Sequence, residues 1–336
     1  MRALTTTSAS MGPQLISSCV RLRTCLTGAS GRLLATFQHL SNTRSKMAYH
    51  TEDRGSPNTD SFRMFFKNQS GVPVSPFHDI PLYAEGQKEV FNMIVEIPRW
   101  SNAKMEISKE EKLNPIKQDT KKGKLRYVKN IFPHHGYIWN YGALPQTFED
   151  PNAVTPDTGA KGDADPLDVC EIGFKIHDRG AIIQVKAVGV MCLIDEGETD
   201  WKVIAIDVTD PMAEKINDVA DVESHFPGLL RATYEWFKYY KVPDGKPENG
   251  FAFNGEAKNK EYTLKVIEET HEQWKSLMAS SEETSISRVN TTVENSKDKI
   301  EGVEAEKIVD ITAEPGPAEP VSQEVNKWYY VIPDAK

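Results

Sequence analysis

Acidic residues are missing from the start of this chain: no Asp or Glu precedes Glu52. The same stretch holds six basic residues, Arg2, Arg21, Arg23, Arg32, Arg44 and Lys46, among many Ser and Thr. Arg21 and Arg23 interrupt its best apolar segment, which excludes a secretory h-region. An Arg-rich, Ser-rich, acid-free leader is the pattern of a mitochondrial transit peptide, expected here over residues 1–46. The expected address is the mitochondrial matrix, or the cytoplasm for a form translated from Met47. Long hydrophobic runs are also missing. The best, Ala187 to Ile194, is far too short for a membrane span. Cysteine is scarce, with 4 in the chain, and only Cys170 and Cys192 lie outside the leader. That excludes a disulfide framework and fits a reducing compartment. Positive charge is in deficit, with a net charge of -9. The leader's six positive charges and the net -6 of residues 280–336 cancel, so residues 52–279 carry the whole excess. A nucleic-acid partner held by a general basic surface is therefore not expected.

One domain is expected over residues 47–279, followed by an acidic tail over 280–336. The tail has few large apolar residues before Trp328 and three prolines at 315, 317 and 320, so most of it is expected to be disordered. Inside the domain the first two-thirds read as strands. Val90 to Ile97 is apolar with alternation; Lys104 to Ile107 and Lys124 to Asn130 alternate polar and apolar. Ile182 to Ile194 and Trp201 to Val208 are two long strands around a hairpin turn at Glu196 to Thr199. The last third reads as two helices, Pro227 to Tyr240 and Asn259 to Met278. The second places Leu264, Ile267, His271, Trp274 and Leu277 on one face. Strands followed by helices argue for an α+β domain with a curled, mainly-β sheet or barrel.

The chemistry concentrates in Gly162-Asp163-Ala164-Asp165-Pro166-Leu167-Asp168. Three carboxylates in six residues repel one another unless a cation sits between them, and hard divalent cations with oxygen ligands are the usual answer. The spacing does not fit an EF-hand, which would need a Gly at Asp168 and a Glu at Phe174. A solvated acidic loop is the bland alternative. A second acidic cluster, Asp195 to Lys202, lies on the expected hairpin. Asp200 and Lys202 are two apart in a strand and so face one way. The same period puts Lys104 and Glu106 on one face of theirs. Glu96 and Arg126 lie in two further strands, and Arg126 can grip phosphate bidentately. Tyr137 and Tyr141 sit in an aromatic, Gly-containing segment, and Tyr240-Lys241 closes the first helix. No GxxxxGK[ST] loop is present, which ranks a nucleotide-directed phosphohydrolase low.

Five segments, Val95 to Lys104, Gly136 to Gly142, Gly162 to Asp168, Asp195 to Lys202 and Tyr240 to Asn249, resemble the eukaryotic branch of the family I soluble inorganic pyrophosphatases, in the family's order. Leader and tail resemble those of the animal mitochondrial form. The resemblance implies an OB-like barrel and hydrolysis of pyrophosphate to two orthophosphates by a metal-activated water. It implies up to four Mg²⁺ ions, with Mn²⁺ tolerated and Ca²⁺ inhibitory. Residue by residue, it implies Asp163, Asp168, Asp200, Asp195 and Glu106 as metal ligands and Asp165 as general base. Lys104, Arg126, Tyr240 and Lys241 are implied as phosphate-binding groups. Lys202 and Tyr137 fall near the leaving group, with Glu96 and Tyr141 in support. A homodimer is implied, with Arg99 and Trp100 at the contact. The rival from another class is a non-catalytic interaction protein that has kept the fold.

Overall fold

Two residues turn the longest hairpin among the described residues. Ile182–Asp195 and Glu198–Asp207 pair antiparallel down to Asp195 opposite Glu198. Glu196 and Gly197 between them have φ of 50° and 96°. Positive φ at both central positions gives the turn whose twist matches that of the flanking strands. The turn is thus two residues shorter than its sequence suggests. The computed structural model describes residues 49–331. By contacts the chain divides after Lys46, and the barrel and its helices belong to the unit from Met47 onward.

Around this hairpin a barrel closes. Asp168–Glu171 runs parallel to the Glu198–Asp207 strand, with Asp168 opposite Lys202. Asn140–Ala143 pairs with Asp168–Glu171, then with Phe91–Ile97, which returns to Ile182–Asp195. Five strands therefore form a ring without a free edge, the α+β, OB-like barrel that the resemblance implies. Gly142 makes one crossing possible: a Cβ there would lie 1.9 Å from the Ile94 carbonyl oxygen. Side chains alternate between two apolar layers. Met93, Val95, Val203 and Ala205 enter one with Val266 and Ile267; Ile94, Cys170, Ile204 and Ile206 enter the other with Trp139, Trp236 and Phe237.

Among the described residues four helices cover the sheets: α1 Val219–His225, α2 Leu229–Tyr239, α3 Lys260–Ala279 and α4 Gly302–Asp310. The sequence reading holds α2 and α3. It misses α1, which is capped at Asp218 by a reciprocal bond with Asp221. The face of α3 that is buried is Thr263, Val266, Ile267, Thr270, Trp274 and Met278, rotated from the one expected. Threonines close that face, with Thr270 Oγ1 donating to the Val266 carbonyl at 2.9 Å, so apolarity alone misplaces it. The expected strand over Lys124 to Asn130 is broken in two. Lys124–Leu125 pairs with Thr120–Lys121, while Asn130–Ile131 pairs with Trp328–Tyr329. Among the described residues no helix is long and apolar enough to cross a membrane.

The expectation of a mostly disordered tail needs correction, and with it the domain end at 279. Residues 280–331 follow a defined path over the barrel domain. Ala305 and Val309 of α4 bury against Phe65 and Leu113. Arg54 donates to the carbonyls of Asp310 at 3.1 Å and Thr312 at 2.9 Å. Low average hydropathy hid a few well-spaced apolar contacts and the polar partners supplied by the domain.

Candidate active site

In three barrel strands the same alternation passes from apolar to charged. Two residues on from buried Ile94 comes Glu96, two before Cys170 comes Asp168, and two before Ile204 comes Lys202. Period two thus continues an apolar layer into a charged one. The Gly162 to Asp168 run lies against these charges, with Gly162 bridged to Thr199. Stacking of Trp236 on Tyr240 at 4.9 Å between ring centres holds the end of α2 there. Arg126 arrives from the short Thr120–Leu125 hairpin. One cleft of about 230 Å³ results, and every site residue named from the sequence lines it. It brings together Glu96, Lys104, Glu106, Arg126, Tyr137, Tyr141, Asp163, Asp165, Asp168, Asp195, Asp200, Lys202, Tyr240 and Lys241.

Cations and carboxylates interleave. Lys202 Nζ lies 2.5 Å from both Asp168 and Asp200 and donates to the Tyr141 hydroxyl at 3.0 Å. Lys104 pairs with Glu106 at 2.5 Å, and Lys241 with Asp195. Burial alone would lower the Lys202 and Lys104 pKa values, but Asp168 and Asp200 on one and Glu106 on the other hold them well above the usual range. Burial pushes Tyr137 up to about 12, against Lys104 and Arg126, and raises Tyr141 and Tyr240 as well. Lys202 and Lys104 therefore stay charged and the three phenols protonated, so all five are donors at neutral pH.

Eight carboxylates line the cleft, Glu198 included, against four cations, a formal -4. Internal pairing cannot neutralise such an excess; protons or added cations must. Burial raises Asp163 and Glu96, the first helped by Asp200 and the second by Asp168. Burial also takes Asp200 up to about 7, with Lys202 opposing and Asp168 adding to the rise.

Sequence reasoning missed three groups. Glu149 is buried, accepts from the Trp201 amide at 3.0 Å on Oε1, and leaves Oε2 without a hydrogen-bond partner. With Asp163 and Asp200 it offers three carboxylate oxygens within 4.8 Å of one another. That convergence fits a hard divalent cation and passes the test the acidic run invited. Asp119 accepts from Arg126 at 2.8 Å and fixes its reach into the cleft. Lys109 stands 2.7 Å from Asp165. None of the three belongs to a clustered motif, so only the fold reveals them.

Oxygen ligands for hard cations, set among phosphate-gripping Lys, Arg and Tyr donors, define a metal-assisted phosphoryl hydrolase. The inorganic pyrophosphatase family profile matches residues 93–275. The Drosophila melanogaster inorganic pyrophosphatase is 57% identical over 284 residues, covering 84% of each chain. That of Zygosaccharomyces bailii is 58% identical, covering 85% of this chain and 99% of the relative. Among solved structures, the Schistosoma japonicum inorganic pyrophosphatase superposes with a TM-score of 0.80 at 52% identity, over 84% of this chain and 100% of that one. A truncated Trypanosoma cruzi vacuolar soluble pyrophosphatase in complex with PPi gives 0.63 at 42% identity, over 68% and 90%. The chain belongs to the inorganic pyrophosphatase family. It is an enzyme that hydrolyses inorganic pyrophosphate to two orthophosphates, which sets aside the nucleotide-directed and non-catalytic readings.

Proposed function

We propose that this hydrolysis runs on magnesium held by Asp163, Asp168 and Asp200, with Asp195 and Glu106 as ligands for further ions that come with the substrate. The observation that carries the reading is the convergence of five carboxylate ligands and four cationic donors in one cleft. Bound magnesium would supply Lewis-acid activation of water and offset the developing charge. Asp165 takes the proton of the attacking water. Lys104, Arg126, Tyr240 and Lys241 bind phosphate oxygens, and Arg126 arrives pre-aimed by Asp119. Lys202 and Tyr137 donate to the leaving phosphate, which their retained protons allow. Glu96 accepts from the Ile107 amide at 2.7 Å and so braces the strand that carries Glu106. The PPi complex of the Trypanosoma cruzi relative supports pyrophosphate as the occupant. Phosphate release from pyrophosphate by the purified chain with Mg²⁺ tests the reading; no release would end it.

Metal choice follows from the ligand chemistry. All proposed ligands are carboxylates, so Mg²⁺ supports full turnover, Mn²⁺ partial turnover, and Ca²⁺ binds but inhibits because its loose coordination spoils the in-line clamp. Activity measured in each ion alone checks this, and turnover in Ca²⁺ equal to that in Mg²⁺ would refute it.

A homodimer belongs to the same reading. Trp100 is 55% exposed, Phe132 59% and Tyr330 75%. His135 links them, donating from Nδ1 to the Trp100 carbonyl at 3.0 Å and packing on Trp328. An aromatic patch of this kind suits a second copy of the chain. Arg99 serves it only indirectly, since its guanidinium turns to the carbonyls of Glu171 and Gly173. Sedimentation at micromolar concentration is expected to show a dimer that Trp100→Ser weakens; a monomeric wild type rejects it.

The leader completes the proposal, although residues 1–46 lie outside the described residues. Fused to a fluorescent reporter they direct it to mitochondria, since import acts on positive charge. Replacing Arg21, Arg23 and Arg32 by Glu strands the reporter in the cytosol. A diffuse signal from the unmodified fusion would favour the cytoplasmic form that begins at Met47.

A further inference from the structure

Lys109 belongs to no motif, yet its ammonium lies 2.7 Å from Asp165 Oδ1 and 3.3 Å from the Asp163 carbonyl. Burial would lower its pKa, but Asp165, Asp163 and Glu106 hold it up, so it is charged. What keeps it there is a loop, residues 108–114, that leaves the Met105–Ile107 strand and returns at Pro115. The loop is strained: Leu113 and Asn114 have φ of 63° and 45°. Neighbouring structure must over-determine such a conformation.

Part of that support comes from far along the chain. Asn114 is wholly buried; its amide donates to the carbonyls of Ser108 at 3.0 Å and Ser287 at 3.1 Å. Ser287 answers with its own amide, which donates to the Lys109 carbonyl at 2.7 Å. His78 Nε2 donates to the Ser287 carbonyl at 2.9 Å, while its Nδ1 accepts from Trp274 Nε1 at 3.0 Å. Those partners fix the tautomer. Beyond Ser287 the segment is moored again. The Asp79 carboxylate accepts from the amides of Thr291 and Thr292, at 3.0 and 2.7 Å, and from the Thr292 hydroxyl at 2.7 Å. Ile286 is buried on the other side. The segment is therefore tied down before and after the point at which it grips Lys109.

We propose that residues 286–292 form a strap that sets the 108–114 loop and so holds the Lys109 ammonium against Asp165, making Lys109 a positioning residue for pyrophosphate hydrolysis. The inference rests on the reading of Asp165 as general base. Lys109 does not line the substrate cleft; it acts by limiting where the Asp165 carboxylate can point, since that side chain is 45% exposed even with Lys109 beside it. Placement of a base within a fraction of an ångström is worth large rate factors, and an ångström of error costs about 10²-fold.

The test measures kcat and KM for pyrophosphate in the full chain with Mg²⁺. Lys109→Met is expected to lower kcat roughly tenfold while KM moves less than about twofold. Lys109→Arg, which keeps the charge, restores most of the loss. Asp79→Asn loosens the strap and lowers kcat a few-fold, and that loss disappears in the Lys109→Met background because both changes act through one contact. If Asp79→Asn does not fold, Thr292→Val removes one donor from Asp79 and replaces it in the cycle. A Lys109→Met enzyme within twofold of wild type, or losses that multiply in the double variant, would overturn the proposal. Asp165→Asn is the reference. An inactive Asp165→Asn beside an unaffected Lys109→Met defeats this inference alone. An active Asp165→Asn defeats the reading of the base, and the inference with it.

Discussion

Asp165→Asn is expected to fold and bind metal like the wild type and to lose roughly 10²–10⁴-fold in turnover, the usual contribution of a positioned general base. The change conserves volume. Its neighbours are equipped to tolerate it: Asp165 is part-exposed, its amide donates to Asp163 Oδ1 at 3.0 Å, and its carbonyl accepts from the Glu149 amide at 2.9 Å. None of these bonds uses the carboxylate, so the run keeps its path and the proposed metal ligands their places. The amide cannot take a proton from water. Turnover near the wild-type value would mean that another group is the base. Circular dichroism and a metal titration separate loss of chemistry from loss of fold.

Stripping divalent metal with a chelator is expected to remove activity to background and to lower thermal stability, with the second effect dependent on pH. The cleft carries twice as many carboxylates as cations. In the metal-free protein protons fill part of the gap: burial raises Asp163 well above its usual 3.8 and takes Asp200 up to about 7. A carboxylate whose folded pKa lies above its unfolded one binds its proton more tightly in the folded state. The stability it contributes is fully present below about 4 and is lost as pH rises through about 7. Metal-free protein should therefore weaken between mildly acidic and mildly alkaline pH. On the proposed reading magnesium would replace those protons, and its stabilisation, about 2.7 kcal/mol at a hundredfold excess over the dissociation constant, would need the deprotonated ligands. Melts with and without Mg²⁺, at about pH 5.5 and about pH 8, should show the larger shift at the higher pH. Equal shifts would reject the linkage.

Much of the site was legible because its chemistry is clustered in sequence. Asp163, Asp165 and Asp168 fall within six residues, and Asp195, Asp200 and Lys202 within eight. Local crowding of like charge is informative by itself, since it needs a cation to persist. Alternation then oriented Lys104 with Glu106 and Asp200 with Lys202, as the cleft bears out. Glu149, Asp119 and Lys109 were not legible. Each is a charged residue in a sequence setting with no distinctive pattern, and its meaning depends on partners 7 to 56 positions away.

What the sequence determined by itself was the barrel's strand-then-helix order, the two acidic runs and most of the charged residues that the cleft gathers, because alternation and charge crowding are short-range properties. Only the tertiary structure decided the path of the tail. Its apolar residues are sparse, and its order comes from Asp79, Arg54, Phe65 and Leu113, which lie more than 170 residues away. A segment stabilised by partners it does not contain reads as disordered from its own composition, and its coupling to Lys109 has no sequence signature.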